Sequence, residues 1–230
     1  MGNLCIITAR GGSKRIPRKN IKEFLGKPII AYSIQTALNS KLFDEVMVST
    51  DDKEIAEIAI RFGAKVPFMR SKKNSHDFSE TIDVIKEVLD SYKIEGKNFE
   101  HLCCFYPTSP LVEEQTLTKC FELLKEEGYN TTFPVCLYST PIQRALKITN
   151  GKIGMFHPEY RHTRSQDLEP AFYDAGQFYW LDVEKIQEDQ RIYSDNSGVL
   201  ILEDRKVQDI DNLGDWKLAE LKYKLLHGVS

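Results

Sequence analysis

The stretch that decides the fold is residues 3–22, NLCIITARGGSKRIPRKNIK, in which an apolar run breaks into a cation-rich loop. A short apolar run ending in such a loop predicts a buried strand of an open α/β sheet, with a ligand site at its carboxyl end. Gly11 and Gly12 would allow positive φ, so that loop amides point at one anion. The cations that would face this anion are Arg10, Lys14, Arg15, Arg18 and Lys19. The pattern favours a polyphosphate site, such as one for a nucleoside triphosphate, over a solvated basic loop.

Composition and charge favour a protein that binds a small anionic ligand. The chain has 230 residues, 41% of them hydrophobic, and a formal net charge of −3, which suits one α/β domain carrying a subdomain. Because its cations cluster in one loop, we expect no nucleic-acid partner. We see no secretory signal and no long apolar stretch, so we expect a cytoplasmic protein without membrane association. The five cysteines lack Cys-x-x-Cys spacing, which indicates free thiols.

Strands and helices alternate along most of the chain. Apolar periodicity predicts helices over 28–38, 50–62, 79–92, 113–127 and 213–226, and strands over 45–49, 64–69, 101–106, 131–137, 175–181 and 199–203. Such alternation predicts a three-layer α/β fold with a mostly parallel, Rossmann-like sheet, in which 131–137 is a central strand. Pro28 would lie in the first turn of the first helix, and Asp51 and Asp52 would cap the second.

Residues 139–174 interrupt this alternation with a polar, proline-containing and basic stretch. Asn150-Gly151 predicts a hairpin between 145–148 and 153–156. We therefore expect a single domain over 1–230 with an inserted excursion at 139–174. The arginines of the excursion fit an ordinary exposed loop as well as a ligand site.

Asp209 and Asp211 form a carboxylate pair two residues apart. In an extended segment this spacing puts both side chains on one face, where they repel each other unless a cation lies between them. Oxygen ligands opposite a polyphosphate suit Mg²⁺. An ordinary solvated turn explains the pair equally well, because Asp-x-Asp is a common pattern.

The loop from Ala9 to Ile21, ARGGSKRIPRKNI, resembles the signature of the cytidylyltransferases that activate nonulosonic acids, and the resemblance covers nearly the whole chain. It implies the fold of nucleotide-diphospho-sugar transferases, with 139–174 as a small dimerisation subdomain swapped across a two-fold axis. It also implies a Mg²⁺-dependent homodimer that uses CTP and a nonulosonic acid as substrates. The expected reaction joins CMP to the anomeric hydroxyl of the sugar and releases pyrophosphate.

The same resemblance implies roles for individual residues. The implied CTP contacts are Ala9, Arg10, Gly11, Gly12, Ser13, Lys19, Asn20, Arg70, His76 and Asp77. The implied catalytic residues are Arg10, Lys19, Asp209 and Asp211, and the two aspartates would hold Mg²⁺. Ser71 departs from the family, which has a proline after the arginine of the base pocket.

Further motifs with family counterparts imply the sugar site. The implied contacts are Tyr106, Thr108, Ser109, Gln143, Arg144, Arg164, Gln177 and Tyr179. Tyr106 and Val112 replace a Gln and an Arg of the members that use sialic acid, so the pattern most resembles the members that use pseudaminic acid. Sialic, legionaminic and 3-deoxy-octulosonic acids are the alternative sugars. Of the other classes, a non-catalytic nucleotide sensor would not need the carboxylate pair, and a P-loop kinase would need a Walker lysine that the sequence lacks.

Overall fold

The strand that leads into the basic loop begins the sheet of the protein. In the computed structural model, which describes residues 2–228, four of the seven residues of this strand are buried. Residues 1, 229 and 230 of the predicted domain lie outside the described part. The strands are β1 (Gly2–Thr8), β2 (Glu23–Phe24), β3 (Lys27–Pro28), β4 (Glu45–Ser49), β5 (Phe99–Phe105), β6 (Thr131–Leu137), β7 (Leu146–Thr149), β8 (Lys152–Met155), β9 (Phe172–Asp174), β10 (Phe178–Asp182) and β11 (Ser197–Leu202). The helices are α1 (Ile30–Ser40), α2 (Lys53–Arg61), α3 (Thr81–Ile94), α4 (Glu114–Glu127), α5 (Val183–Asp189) and α6 (Leu213–His227).

Seven strands form the main sheet, in the order β11-β6-β10-β5-β1-β4 with β9 paired to β6. Strands β9 and β10 are antiparallel to their neighbours, and the other pairings are parallel. The register places Thr8 beside Ser49 and Ile7 beside Phe105, so the carboxyl ends of β1, β4 and β5 meet at one edge. The predicted α/β fold is therefore confirmed, with a mixed sheet in which three of the six pairings are parallel and three are antiparallel. The edge where β1, β4 and β5 end is where ligands bind in open α/β sheets.

The helices cover both faces of the sheet. Because successive side chains of a strand point to opposite faces, Cys5 and Ile7 pack in the cluster that contains residues of α1, α2 and α4. Leu4 and Ile6 belong to the cluster that contains residues of α3 and α5. All four side chains are fully buried, and each of the three aliphatic ones, Leu4, Ile6 and Ile7, stabilises the fold by roughly 1.5–3 kcal/mol. This is the expected three-layer architecture.

Helix α6 builds a third cluster beside the basic loop. Its Trp216 packs with Phe24 and with Ile210, which is fully buried. Asn212 caps α6 by accepting from the Gly214 and Asp215 amides, and Asp215 completes the capping box. The cap and the buried Ile210 fix the 209–211 segment next to the loop that follows β1.

The structure corrects several predicted elements. Residues 64–69 form no strand and make only an isolated bridge between Met47 and Lys65, because Pro67 cannot donate to a ladder. Pro28 pairs with Glu23 in β3, so it does not occupy the first turn of α1. Strand β6 has the predicted bounds but lies next to the edge strand β11, not at the centre. The strand predicted over 175–181 begins at Phe178, and the short helix α5 after it was not predicted.

The excursion at 139–174 carries a separate two-stranded sheet, β7 paired with β8. The turn between them is at Asn150-Gly151, as predicted, and both residues have positive φ, 52° and 74°. Strand β9 then returns to the main sheet beside β6. Ile148 and Ile153 on the hairpin are 77% and 72% exposed, so the hairpin does not contribute to the core of its own chain. Among residues 2–228, no helix has the length and apolar character needed to cross a membrane.

Candidate active site

A cleft of about 500 Å³ opens at the sheet edge where β1, β4 and β5 end. Its walls are the loop after β1, the segment before and at the start of α3, the loop after β5, and single residues from the β9–β10 turn and the carboxyl-terminal segment. The lining residues are Thr8, Arg10, Ser13, Lys14, Arg15, Ile16, Lys19, Asn20, Arg70, Asn74, His76, Asp77, Ser79, Thr81, Val84, Tyr106, Pro107, Thr108, Gly176 and Asp209. The cleft has the size of a small-molecule site.

The cations of the loop after β1 are paired with carboxylates around the cleft. Arg10 donates to Asp77 over 2.5 Å, and Lys14 bonds the other oxygen of the same carboxylate. Hydrogen bonds from Lys14 and Arg10 lower the pKa of Asp77. Arg15 lies 2.7 Å from Asp211. The loop is therefore part of a charged cleft with its own counter-ions, not a free basic surface.

Lys19 and Asn20 connect the loop to other parts of the site. The Lys19 ammonium donates to the Ile210 carbonyl over 2.7 Å, and the side-chain amide of Asn20 donates to the Arg10 backbone carbonyl over 2.9 Å. Burial lowers the pKa of Lys19, although Asp211 and Asp209 act in the opposite direction. Lys19 thus places a positive charge between the loop and the two aspartates.

The glycines of the loop do not behave as predicted. Neither Gly11 nor Gly12 has positive φ, and the Gly11 amide donates to Asp51 over 3.0 Å instead of remaining available to an anion. A Cβ at Gly11 would lie 2.7 Å from an Asp52 oxygen, whereas at Gly12 it would meet nothing within 4 Å. Close approach of Asp52, not backbone conformation, is what requires glycine at position 11. The cap prediction is confirmed for Asp52, which accepts from the Ile55 amide, but Asp51 serves the loop instead.

Arg70 forms the wall of the cleft beside β4. It is 8% exposed, and its guanidinium donates to the Ser49 hydroxyl over 3.0 Å and to the Ser49 carbonyl over 2.5 Å. Burial lowers the pKa of Arg70. Asn74 and Thr81 line the same wall, and neither was predicted from the sequence to belong to the site. The segment between the third predicted strand and the next helix is polar, but the sequence could not say which of its side chains face inward.

The residues assigned to the sugar lie in three places. Tyr106 and Thr108 line the cleft. Ser109, Gln177 and Tyr179 are buried behind this wall, where the Gln177 amide donates to the Lys206 carbonyl and the Tyr179 hydroxyl donates to Asp174. These three residues support the wall and do not line the cleft.

The remaining assigned sugar residues lie on the excursion and bond within it. Gln143 donates to the Glu169 carbonyl, Arg144 donates to the Ser165 hydroxyl, and Arg164 pairs with Asp167. None of the three lines the cleft of its own chain. Ala9, assigned to CTP, is fully buried and likewise does not line the cleft.

Asp209 and Asp211 flank the buried Ile210, and Asp209 lines the cleft. Partial burial and repulsion from Asp211 raise the pKa of Asp209. Within residues 2–228, no group of three or more His, Cys, Asp or Glu side chains is placed to hold a metal. The chain therefore offers two neighbouring carboxylates, one facing the cleft and one paired with Arg15.

Comparisons of this chain with family models, with the sequences of known proteins and with solved structures agree with one another. The family model described as Cytidylyltransferase matches residues 4–206, a range that ends just before the aspartate pair. The chain is 42% identical to a pseudaminic acid cytidylyltransferase of Campylobacter jejuni over 99% of this chain and 98% of the relative. It is 32% identical to a CMP-N,N'-diacetyllegionaminic acid synthase of Legionella pneumophila over 94% of each chain. The structure of CMP:2-keto-3-deoxy-manno-octonic acid synthetase complexed with CTP matches with a TM-score of 0.71 at 15% identity, over 100% of both chains, which shows a common fold.

Proposed function

Because this chain belongs to the cytidylyltransferase family, we propose that it joins CMP from CTP to pseudaminic acid and releases pyrophosphate. The observation that carries the proposal is the cleft at the carboxyl edge of the sheet, in which Arg10, Lys19 and Arg70 share one cavity with Asp209. A nucleoside triphosphate needs such fixed cations, and a nucleotidyl transfer needs its acceptor beside them. The relative from C. jejuni, 42% identical, supports the choice of sugar.

The loop after β1 would bind the triphosphate. Arg10, Lys14 and Lys19 all line the cleft. A bound triphosphate would replace Asp77 as the partner of Arg10 and Lys14, and Lys19 would add a third positive charge. Ser13 would add a hydroxyl donor. Arg70 is anchored on Ser49 through two hydrogen bonds, so it presents its remaining guanidinium hydrogens in one orientation, as required for reading the base.

The reaction requires positioning more than covalent help from the protein. The oxygen of the sugar anomeric hydroxyl would form a bond to the α-phosphorus as the bond from that phosphorus to the pyrophosphate oxygen breaks, and the hydroxyl proton would leave to solvent. Cations held beside the developing charge stabilise it without reorganisation, and Arg10 and Lys19 are the candidates. No enzyme-bound covalent intermediate is needed.

Asp209 and Asp211 fit the requirements of a magnesium ion. Mg²⁺ in nucleotide enzymes takes one or two carboxylates from the protein and completes its shell with phosphate oxygens and waters. The chain offers two carboxylates here, and burial together with repulsion from Asp211 raises the pKa of Asp209. When bound, Mg²⁺ would supply charge neutralisation at the phosphate and acidify the attacking hydroxyl. Lys19 would hold the segment that carries both aspartates in place through its hydrogen bond to the Ile210 carbonyl.

The excursion at 139–174 would complete the sugar site in a homodimer. Gln143, Arg144 and Arg164 lie outside the cleft of their own chain, so they can reach a sugar only if the partner's cleft is near. The exposed apolar hairpin supports such an interface, because a patch of this kind is unusual on a monomer. A guanidinium from the partner would suit the sugar carboxylate, to which it can bond through two nitrogens.

A pyrophosphate-release assay tests the proposal. With Mg²⁺, CTP and pseudaminic acid together, we expect steady release, and we expect none when either CTP or the sugar is omitted. A nucleotide sensor would bind CTP without release. Binding of CTP with no turnover on any nonulosonic acid would therefore refute the enzymatic proposal.

A further inference from the structure

Asn74 is a polar residue of the cleft wall without an assigned role. It is 8% exposed and lines the cleft with Arg70. It lies in the short helical turn Lys72–Asn74, where its backbone N–H donates to the Ser71 carbonyl over 3.1 Å. A buried asparagine at the edge of a ligand cleft needs partners for both ends of its side-chain amide.

The nitrogen end of this side chain is fully used. It donates to a Glu87 oxygen and to the Asp83 carbonyl over 3.3 Å, both on α3. Glu87 also accepts from the Ser71 amide over 2.6 Å and from the Ser71 hydroxyl over 2.7 Å. Burial opposes the ionisation of Glu87, but these hydrogen bonds prevail and lower its pKa, so the group is an ionised carboxylate that can only accept. Two acceptors on one side fix the orientation of the Asn74 amide, because its nitrogen must face them.

The side-chain oxygen of Asn74, Oδ1, remains free to accept a hydrogen bond from a ligand in the cleft. Among residues 2–228, no group donates to Asn74 Oδ1, and this atom is not one of the buried polar atoms cut off from solvent. Since the nitrogen faces α3, the oxygen turns toward the cavity that Asn74 lines. The wall beside Arg70 therefore combines guanidinium donors with one fixed carbonyl acceptor.

We propose that Asn74 Oδ1 accepts a hydrogen bond from the 4-amino group of the cytosine base, and that Glu87 is the positioning residue that makes this oxygen a selector of CTP over UTP. Cytosine has an amino donor at position 4, where uracil has a carbonyl acceptor. With uracil, two oxygens would face each other and both would lose their partners, a penalty larger than the loss of one favourable contact. The inference rests on the proposed function and adds the determinant of base choice.

The test compares three nucleotides that differ only at the base edge. The specificity constant kcat/KM for pyrophosphate release is measured with CTP, with UTP and with the triphosphate of 2-pyrimidinone riboside, which is CTP without its 4-amino group. Asn74→Ala removes the acceptor. Ser75→Ala is the matched control, because Ser75 also bonds within this loop, to the Ser71 carbonyl over 2.7 Å, but does not line the cleft.

For the wild-type enzyme, we expect loss of the 4-amino group to lower kcat/KM by about 10- to 100-fold, and UTP to be used less well than this analogue. In Asn74→Ala, CTP and the analogue should differ by less than about threefold. Ser75→Ala should discriminate as the wild type does. In Glu87→Gln the new side chain can donate as well as accept, so the Asn74 side-chain amide is no longer held in one orientation. The ratio of kcat/KM for CTP to that for UTP should then lie between those of the wild type and Asn74→Ala.

A purely structural role for Asn74 would lower kcat/KM equally for all three nucleotides, and that result would overturn the inference. The inference about Asn74 would also be contradicted if the wild-type enzyme used CTP and the analogue equally well. This comparison does not depend on the folding of any variant. In both cases turnover of CTP by the wild type would leave the proposed function intact. Absence of any CTP turnover would instead refute the proposed function.

Discussion

Lys19 links the loop after β1 to the aspartate pair, because it bonds the Ile210 carbonyl and lies beside both aspartates. We predict that Lys19→Ala or Arg10→Ala lowers kcat of pyrophosphate release by about 100- to 1000-fold, the scale of losing one preorganised charge. Arg61→Ala, on the last turn of α2 and absent from the cleft lining, is the control for loss of a positive charge. Wild-type turnover in Lys19→Ala would contradict the assignment of this loop to the triphosphate.

The two aspartates should respond differently to neutralisation. Asp209→Asn removes a carboxylate whose pKa is raised by burial and by Asp211, so we expect the melting temperature to stay the same or to rise. Asp211→Asn breaks the pair with Arg15, a partly exposed ion pair worth about 0–1 kcal/mol, so the melting temperature should stay the same or fall slightly. Both variants should need more Mg²⁺ for half-maximal activity and should bind Mg²⁺ more weakly in calorimetry with CTP present. Unchanged metal titrations would reduce the pair to an ordinary turn.

The sequence located the loop and the aspartate pair but not their partners. Arg10 and Lys19 could be predicted because they belong to the loop motif, and Asp209 because it belongs to the Asp-x-Asp pair. The structure brings all three to one cleft. Asn74 and Thr81 could not be predicted, because their inward orientation depends on how α3 packs. Gly11 was predicted for the wrong reason, since the contact that requires glycine comes from Asp52, 41 positions away in the chain.

At the scale of elements, Asp52 couples α2 to the basic loop. It caps the helix through the Ile55 amide and pairs with Arg18 over 2.5 Å. The hydrogen bond from Arg18 lowers the pKa of Asp52 to about 2. A depressed carboxyl pKa stabilises the fold above the unfolded pKa of about 4, and this contribution is lost as the pH falls through the folded value.

We therefore predict that Asp52→Ala lowers the free energy of unfolding by about 1–2 kcal/mol at pH 7. The difference from the wild type should shrink as the pH is lowered from about 4 toward 2. Urea unfolding at several pH values measures it, and Glu57→Ala, an exposed substitution on the same helix, should change little at any pH. A difference that grew on acidification would contradict the pairing.

The strands were predicted better than their surroundings. The bounds of β4 and β6 match the sequence prediction. All of β4 and five of the seven residues of β6 are buried, and buried strands have nearly continuous apolar patterns. Residues 64–69 have a similar pattern but run past the sheet with a single bridge, since Pro67 interrupts the hydrogen bonding. Short elements such as β2, β3 and α5 form through tertiary contacts, which local periodicity does not encode.

For the whole molecule, the exposed hairpin β7–β8 predicts self-association. We expect a dimer in light scattering at micromolar concentration, and a monomer in the double variant Ile148→Asp, Ile153→Asp, whose fold should persist because both side chains are more than 70% exposed. Leu225→Asp, at a 70% exposed position of α6, is the matched control and should remain a dimer. If the double variant were monomeric and fully active, the excursion would not supply residues to a partner's sugar site.

Competition between sugars in one reaction tests the assigned activity and its substrate together. Purified enzyme is given CTP, Mg²⁺ and equal amounts of pseudaminic, legionaminic and N-acetylneuraminic acids, and the CMP-linked products are separated by chromatography and identified by mass spectrometry and reference standards. We predict that CMP-pseudaminic acid dominates, because Tyr106 lines the cleft and Val112 is buried where the sialic-acid members have polar side chains. Preferential formation of CMP-N-acetylneuraminic or CMP-legionaminic acid would contradict the substrate assignment, and formation of no CMP-sugar at all would contradict the proposed reaction.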